Sequence, residues 1–217
     1  MFRKIALIIV SFLFVSNANA AIDGDSKGNA PTLLVISCSL NPESNGALIA
    51  NYVFNLLKSQ GQKINLLDLR NYKLPIANGH DQSAYQDAQV KEIHDKILEA
   101  DGIILIAPIY NFGVGATGKN LIELTGHPYK DVLSGKAWKH KPLGFIGVSG
   151  SPASLMAPLS FLNSMMLDFK THIIPSFVML SRDDFKDKNE FSADIKTKVE
   201  KLTQDVIRFA KVLSKNT

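Results

Sequence analysis

The feature that most constrains the fold is an alternation of short apolar runs with helical periodicity, which extends from Thr32 almost to the end of the chain. Residues 32–37 (TLLVIS) are continuously apolar, as is typical of a strand buried on both faces. Further strand-like runs lie at residues 63–69, 102–107, 142–149 and 177–180. Apolar residues recur at helical spacing in the segments 48–57, 90–100, 158–169 and 195–209. The last of these helices is predicted to bury Ile195, Val199, Leu202, Val206 and Phe209.

Strands that alternate with helices indicate an α/β domain with a parallel sheet. Five strands at this chain length predict a flavodoxin-like doubly wound sheet, with the strand order 2-1-3-4-5 and helices on both faces. In such sheets, ligands bind beyond the carboxyl ends of the strands. We therefore expect a ligand site in the loops after the first, third and fourth strands, at residues 37–46, 108–118 and 149–154.

Composition and charge narrow the class of protein. The 217 residues are 46% hydrophobic and 20% charged, which fits one globular domain. The single cysteine excludes an internal disulfide, and the five scattered histidines favour no metal site. A net charge of +4 is too small to indicate nucleic acid as a partner, so Trp138, in the basic segment KAWKHK, is interpreted as a surface residue.

The first 20 residues have the pattern of a secretory signal. Arg3 and Lys4 precede an apolar run at residues 5–15, and Ala18-Asn19-Ala20 is the small-residue pattern that a signal peptidase cuts after. An uncleaved anchor is the alternative, but this run is short against the ~20 residues that span a bilayer. We predict a signal peptide at 1–20, a flexible lead-in at 21–30 and a domain at 31–217. The expected location is periplasmic, without membrane contact after cleavage, or cytoplasmic if the signal is not used.

The first predicted loop, SCSLNPESNG, joins a buried strand to a helix. A phosphate bound there would meet the hydroxyls of Ser39 and Ser44, free N–H groups of the first helical turn and the positive end of the helix dipole. The loop has neither the Walker pattern nor G-x-G-x-x-G, so neither ATP nor a Rossmann dinucleotide is expected. The structural alternative is that Ser44 only caps the helix and Pro42 only makes a turn.

The second predicted loop, PIYNFGVGATGKN, is suited to a flat heterocycle. Tyr110 and Phe112 can cover the faces of a ring, Asn111 can present an amide to its edge, and the glycines allow a close backbone approach. The alternative is a glycine-rich turn with Tyr110 packed on the sheet. The third loop, VSGSPAS, places small hydroxyl residues beside the same opening.

Together the three loops resemble the NADPH-dependent FMN reductase family, flavodoxin-like flavoproteins that include chromate, quinone and azo-dye reductases. The most specific match is Pro108-Ile109-Tyr110-Asn111 followed by Lys119-Asn120, and the resemblance covers residues 32–213. It implies FMN as cofactor, NADPH or NADH as electron donor, and a homodimer or tetramer. The residues that it assigns to the FMN phosphate are Ser39, Ser44, Asn45 and Gly46. Those that it assigns to the isoalloxazine are Pro108, Ile109, Tyr110, Asn111, Phe112, Ser149, Gly150 and Ser151.

The sequence departs from the family pattern in two places. Cys38 and Asn41 stand where the family usually has a glycine before the first phosphate serine and an arginine two residues after it. The third loop has Ser151-Pro152-Ala153-Ser154 in place of glycines, and a proline lacks an N–H and fixes φ. Because a nicotinamide would approach over the third loop, this departure predicts weak nicotinamide turnover, against the default that the family activity persists.

The resemblance implies an FMN-dependent NAD(P)H oxidoreductase that passes electrons to a quinone, an azo compound, free flavin or a metal ion. Because the flavin supplies the chemistry, no catalytic side chain is expected. The alternative is an exported flavin-binding or electron-carrying protein with little nicotinamide turnover. A hydrolase is disfavoured, since G-x-S-x-G is absent. Cys38 is interpreted as a core residue and His127 as a candidate contact to the substrate.

Overall fold

The computed structural model describes residues 30–80, 82–187 and 190–214, so the predicted signal peptide at 1–20 and the lead-in up to residue 29 lie outside the described residues. The strands are β1 (Thr32–Ser37), β2 (Lys63–Asp68), β3 (Gly102–Tyr110), β4 (Gly113–Val114), β5 (Pro142–Val148), β6 (His172–Ile173), β7 (Val178–Leu180), β8 (Phe185–Asp187) and β9 (Glu190–Phe191). The helices are α1 (Asn45–Ser59), α2 (Ala88–Glu99), α3 (Ala116–Thr125), α4 (Leu159–Phe169) and α5 (Ala193–Leu213). In this part of the chain, no helix is long and apolar enough to cross a bilayer.

The main sheet is parallel and has the order β2-β1-β3-β5, with β6 and β7 both paired to the outer side of β5. The fifth strand position is thus divided into two short strands. Pro175 lies between them, and a proline cannot donate a ladder hydrogen bond. With β6 and β7 counted as one position, the predicted order 2-1-3-4-5 is confirmed. The short strand β4 pairs back antiparallel on β3, and β8 and β9 form a separate hairpin.

Helices cover both faces of the sheet, as predicted. On one face, α1 contributes Ile49 and Val53 to a core cluster that α5 completes with Val199 and Leu202. On the other face, the cluster contains Ile93 from α2 and corresponding side chains of α3 and α4. Full burial of such a side chain contributes about 1.5–3 kcal/mol. The central strand β3 is therefore covered on both faces and places its carboxyl end in the middle of the sheet edge.

Two positions differ from the sequence prediction. Trp138 is fully buried and its indole N–H donates to Thr125 Oγ1 at 3.0 Å, so the prediction of a surface residue was wrong. The flanking lysines led to the prediction of an exposed segment, but Trp138 belongs to the same core cluster as side chains of α4. Phe209 is 39% exposed, because Ile207 and Ala210 occupy the buried face of α5 at that level.

Candidate functional site

A cavity of about 230 Å³ opens at the carboxyl ends of β1, β3 and β5. It lies where the strand order changes direction, which is the place where ligands bind in doubly wound sheets. The described residues that line it are Ser39, Asn41, Glu43, Ser44, Asn45, Gly46, Pro108, Ile109, Tyr110, Val148, Ser149, Gly150 and Arg182.

Nine of the twelve site residues predicted from the sequence line this cavity. The other three, Asn111, Phe112 and Ser151, are exposed and lie outside its lining. Arg182 is the notable residue that the prediction missed. It follows the fifth strand by two residues, so the rule that ligands bind beyond strand ends would have found it if applied to that strand as well. The contacts of all twelve residues with a cofactor stay a prediction.

The first loop brings two buried hydroxyls to the start of α1. Ser44 is 7% exposed, and its Oγ accepts from the backbone N–H of Ala47 at 3.2 Å, which makes it the N-cap of the helix. Ser39 is 5% exposed, and its Oγ accepts from the N–H of Asn41 at 3.3 Å. Both contacts use the hydroxyl as an acceptor, so its O–H remains able to donate into the cavity.

The start of α1 also favours an anion through its backbone. Its first turn contains Asn45, Gly46 and Ala47 and no acidic residue. The first N–H groups of a helix have no partner within the helix, and the helix dipole is positive at this end. A Cβ on Gly46 would lie 3.2 Å from Ser44 Oγ and 3.5 Å from a methyl of Ile106. The glycine therefore keeps the floor of the cavity clear beside the two serines.

The second loop is shorter than the sequence suggested, because β3 continues for three residues beyond its predicted end, through Pro108, Ile109 and Tyr110. Tyr110 pairs with Gly113, so Asn111 and Phe112 form a two-residue hairpin turn. Both have positive φ, 49° and 59°, as a type I′ turn requires. Asparagine tolerates this conformation, whereas it is uncommon for a bulky residue such as phenylalanine.

This hairpin exposes two aromatic rings, that of Tyr110, which lines the cavity, and that of Phe112, two residues further along the chain. Tyr110 is 59% exposed and Phe112 is 72% exposed. The prediction that Tyr110 packs on the sheet, considered as an alternative, is wrong. Exposed apolar rings beside a cavity are a common feature of sites that bind flat ligands. Strain held in an exposed turn also points to a functional position.

The third loop is fixed to the neighbouring strand. The N–H of Ser149 donates to the carbonyl of Leu180 at 2.8 Å, and the Ser149 hydroxyl donates to the carbonyl of Ser151 at 2.7 Å. A Cβ on Gly150 would meet no atom within 4 Å, so this side of the cavity is open. Residues Pro152–Ser154 form a short 3₁₀ turn beyond it.

The Lys119-Asn120 pair supports the site without lining the first cavity. Lys119 forms an ion pair with Glu123 at 2.6 Å on the surface of α3. The Asn120 side chain donates to the carbonyl of Pro75 at 2.9 Å and accepts from the N–H of Ala77 at 2.9 Å. Asn120 therefore holds the long connection between β2 and α2 against the start of α3.

A second, smaller cavity of about 130 Å³ lies under that connection. The described residues that line it are mostly apolar: Leu40, Leu69, Tyr72, Leu74, Ile76, Ala116, Thr117 and Asn120. Leu40 and Ile76 are 54% and 74% exposed. Leu40 adjoins Ser39 and Asn41 in the sequence, so the same loop contributes to the walls of both cavities. An apolar surface thus borders the polar first loop.

The thiol and imidazole groups near the site do not supply a nucleophile or a metal ligand set. Cys38 is fully buried, and its burial, together with the charge of Asp68, raises the pKa of its thiol to about 12. His127 is half-exposed, lies 3.8 Å from Asp168, and lines neither of the two cavities. In the described ranges there is no group of three or more potential metal-ligating side chains.

Fold and site together define a flavodoxin-like α/β protein that has two buried serines at a helix N-terminus and an aromatic hairpin at the switch point of the sheet. The chain belongs to the NADPH-dependent FMN reductase family, whose model matches residues 31–184. This confirms the resemblance seen in the sequence. The protein is therefore an oxidoreductase that has FMN as its cofactor and a reduced nicotinamide as its electron donor.

Comparisons with individual proteins agree with this family. An NAD(P)H-dependent FAD/FMN reductase of Geobacillus thermodenitrificans is 27% identical over 145 residues, which are 66% of this chain and 74% of the relative. An NADPH azoreductase of Bacillus sp. (strain OY1-2) is 24% identical over 176 residues, 81% of this chain and 88% of the relative. The solved structure of the Paracoccus denitrificans flavoenzyme FerB, an NAD(P)H:(acceptor) oxidoreductase, matches with a TM-score of 0.62 at 22% identity. That match covers 85% of this chain and 98% of the other, and it shows the shared fold.

Proposed function

We propose that this protein passes electrons from a reduced nicotinamide, through FMN bound in the 230 Å³ cavity, to a flat aromatic acceptor such as a quinone or an azo compound. The observation that carries the choice of acceptor is the exposed aromatic hairpin beside the cavity. Tyr110 lines the cavity, and Phe112 lies two residues away in the same hairpin; both rings are exposed. Leu40 and Ile76 add exposed apolar surface at the second cavity. The azoreductase relative supports the same class of acceptor.

The first loop fits the phosphate of FMN. Ser39 and Ser44 can each donate one hydroxyl hydrogen, and the N–H groups of Asn45 and Gly46 lie at the positive end of α1. No basic side chain is required at this position, because hydroxyls and helix N-termini bind phosphate in many proteins. Asn41 therefore replaces the family's usual arginine without removing the anion site.

The isoalloxazine is assigned to the space between the hairpin and the third loop. Tyr110 would cover one ring face, and the open side at Gly150 would admit the donor and the acceptor in turn. FMN supplies the redox chemistry by accepting a hydride equivalent and passing electrons on. The contribution of the chain is to bind the phosphate, orient the ring and keep water from its covered face. Metal ions are the less favoured acceptors, since Glu43 is the lone carboxylate among the described residues of the first cavity.

Steady-state reduction of three acceptors by FMN-loaded protein tests this proposal. We expect a naphthoquinone and an azo dye to be reduced efficiently with NADPH or NADH, and ferricyanide, a hydrophilic one-electron acceptor, to serve as a reference. Phe112→Ser removes exposed ring surface worth about 0.5–1.5 kcal/mol, so it should lower kcat/KM for the two aromatic acceptors by about twofold to tenfold. Ferricyanide reduction should change little.

A matched control is Phe209→Ser, which removes a partly exposed phenylalanine from α5, outside the lining of either cavity. It should leave all three reactions unchanged. Equal losses for all three acceptors in Phe112→Ser would contradict a role of the hairpin in acceptor choice. Activity with ferricyanide alone would contradict the proposed acceptor class.

The exported electron carrier with little nicotinamide turnover is the second candidate, and the third loop is the feature that favours it. Pro152 begins a 3₁₀ turn beside Ser149 and Gly150, where a more flexible glycine would give a nicotinamide easier access. Flavin that dithionite reduces but both nicotinamides leave oxidised would support this candidate. Recovery of nicotinamide turnover in Pro152→Gly would then identify the loop as the cause.

A further inference from the structure

Arg182 is the one cation among the described residues that line the first cavity. It follows β7, the outer strand beside β5, and neither the sequence prediction nor the family resemblance assigns it a role. The other charged residue of this lining is Glu43, which belongs to the first loop. Arg182 therefore supplies the positive charge in the described lining of this cavity.

The backbone around Arg182 is anchored next to the third loop. Val148 pairs with Leu180, and the Leu180 carbonyl accepts from the N–H of Ser149 at 2.8 Å. Ser181 donates from its N–H and its hydroxyl to Asp184 Oδ2, at 2.7 and 3.0 Å. This capping box fixes the first residue of the turn Arg182–Asp184 in place.

The guanidinium of Arg182 is available to a ligand. The nearby carboxylate of Asp184 is already engaged by Ser181, and Arg182 forms no ion pair with any residue in the ranges that the structure describes. The side chain is exposed on the rim of the cavity. An arginine presents five donors in a planar fork, which suits contact with a carbonyl oxygen or a delocalised anion.

The strand order decides which part of FMN this cation faces. From β7 to β1, whose loop carries Ser39 and Ser44, there are three strand spacings of about 4.8 Å, or about 14 Å in all. That is longer than an arginine side chain. The adjacent strand is β5, whose loop Ser149 and Gly150 is assigned to the isoalloxazine. The ring edge is therefore the nearer partner of Arg182, and the phosphate is the more distant one.

We propose that Arg182 stabilises the negative charge that the isoalloxazine gains on reduction, and so sets the affinity of the site for reduced over oxidised flavin. This inference rests on the proposed placement of FMN in the first cavity. A positive charge held beside the ring favours the state with more electron density, by direct electrostatic attraction. Because Arg182 is exposed on the rim of the cavity, solvent and salt screen this attraction and keep it moderate.

Potentiometric titration of the bound flavin in Arg182→Gln and Arg182→Lys tests the proposal. In Arg182→Gln, we expect the preference for reduced over oxidised flavin to fall by about tenfold, which lowers the two-electron midpoint potential by about 30 mV. Arg182→Lys, which keeps the charge, should retain most of the potential. Arg208→Gln is the matched control, since Arg208 lies on α5 and pairs with Asp205 at 3.4 Å.

The same titration with riboflavin, which lacks the phosphate, shows whether Arg182 acts on the ring or on the phosphate. If Arg182 faces the ring, the fall in potential should be the same with riboflavin as with FMN. An unchanged potential in Arg182→Gln would overturn the proposal. So would a loss of FMN affinity that riboflavin does not share, because it would place Arg182 at the phosphate. Wild-type protein that binds neither flavin would overturn the placement of FMN itself, before any variant is compared.

Discussion

The hydroxyl oxygen of Ser44 accepts a hydrogen bond from the backbone N–H of Ala47 at 3.2 Å, and the same side chain lines the 230 Å³ cavity. On the sequence alone, capping of α1 and binding of an anion are alternative roles for this serine. The geometry makes them compatible, because the cap uses an oxygen lone pair while the O–H can donate to a ligand. One residue can thus determine both helix stability and cofactor affinity.

The phosphate loop should carry more of the FMN affinity than the aromatic hairpin. Ser39→Ala and Ser44→Ala each remove a hydroxyl donor to an anion, worth about 1.5–3 kcal/mol. Tyr110→Ala removes mainly stacking, worth about 0.5–1.5 kcal/mol beyond buried area. Fluorescence titration with FMN should therefore show a larger rise in Kd for each serine variant. Equal or reversed losses would mean that the phosphate lies elsewhere.

Ser44→Asp separates the two roles of this residue. Aspartate is as good an N-cap as serine, so the thermal stability of the protein should be preserved. Its carboxylate has no donor and repels a phosphate, so FMN affinity should fall further than in Ser44→Ala, which loses the cap as well. Retained FMN affinity in Ser44→Asp would contradict the placement of the phosphate at α1.

The Cys38 thiol should be inert in the folded protein. Its burial, reinforced by the charge of Asp68, raises the pKa to about 12, so almost no thiolate forms between pH 7 and pH 9, taken as about the range of ordinary labelling assays. A thiol-specific reagent should label Cys38 only after unfolding in urea, and Cys38→Ala should retain flavin reduction. Labelling of the native protein at the rate of a free thiol would contradict this assignment.

Lys141 should make the stability of the fold depend on pH. Its ammonium donates to the carbonyls of Ile97 and Leu98, the latter at 2.7 Å, at the end of α2. Burial lowers its pKa from 10.5 to about 8, against a smaller opposing effect of the Asp101 charge. The folded protein thus releases this proton near pH 8, whereas the unfolded chain keeps it until pH 10.5.

Between about pH 8 and pH 10.5 the unfolded state therefore binds more protons than the folded state, so the free energy of unfolding should rise with pH over this range. The free energy of unfolding of the wild type, relative to that of Lys141→Gln, should therefore increase with pH, since the other groups titrate equally in both proteins. Urea unfolding at several pH values between about 7 and 10.5 measures it. A difference that stays constant with pH would show that Lys141 has an ordinary pKa.

Export is the prediction that depends on residues outside the described ranges. If Ala18-Asn19-Ala20 is a cleavage site, N-terminal sequencing of the protein from a periplasmic fraction should begin at Ala21. Ala20→Asp should block processing. A protein that begins at Met1 and fractionates with cytoplasmic markers would contradict the signal peptide.

The sequence was sufficient for the sheet order and for most of the cavity. Continuous apolar runs locate buried strands, and strand ends of a parallel sheet meet at one edge, which gathers Ser39, Ser44 and Ser149 without knowledge of any contact. The misses have local causes. Asn111 and Phe112 lie outside the cavity lining, in a hairpin turn with positive φ at both positions, and periodicity does not encode such a turn.

Burial by residues distant in the sequence was the second feature that the sequence prediction missed. Trp138 looked exposed among lysines, yet its indole is fixed by Thr125, thirteen residues away. Arg182 lines the cavity and lies two residues after strand β7. That strand was predicted, but the loop after it was not included among the expected site loops.

The central claim is that the cavity at the ends of β1, β3 and β5 binds FMN, which a nicotinamide reduces. The most direct measurement is anaerobic visible spectroscopy of the purified protein, loaded with FMN, passed through gel filtration and then mixed with NADPH. We predict that flavin remains with the protein and that its visible absorption is bleached by NADPH at a rate in the usual enzyme range of ~1–10³ per second. A colourless protein after gel filtration, with no spectral change on adding FMN again, would contradict the account.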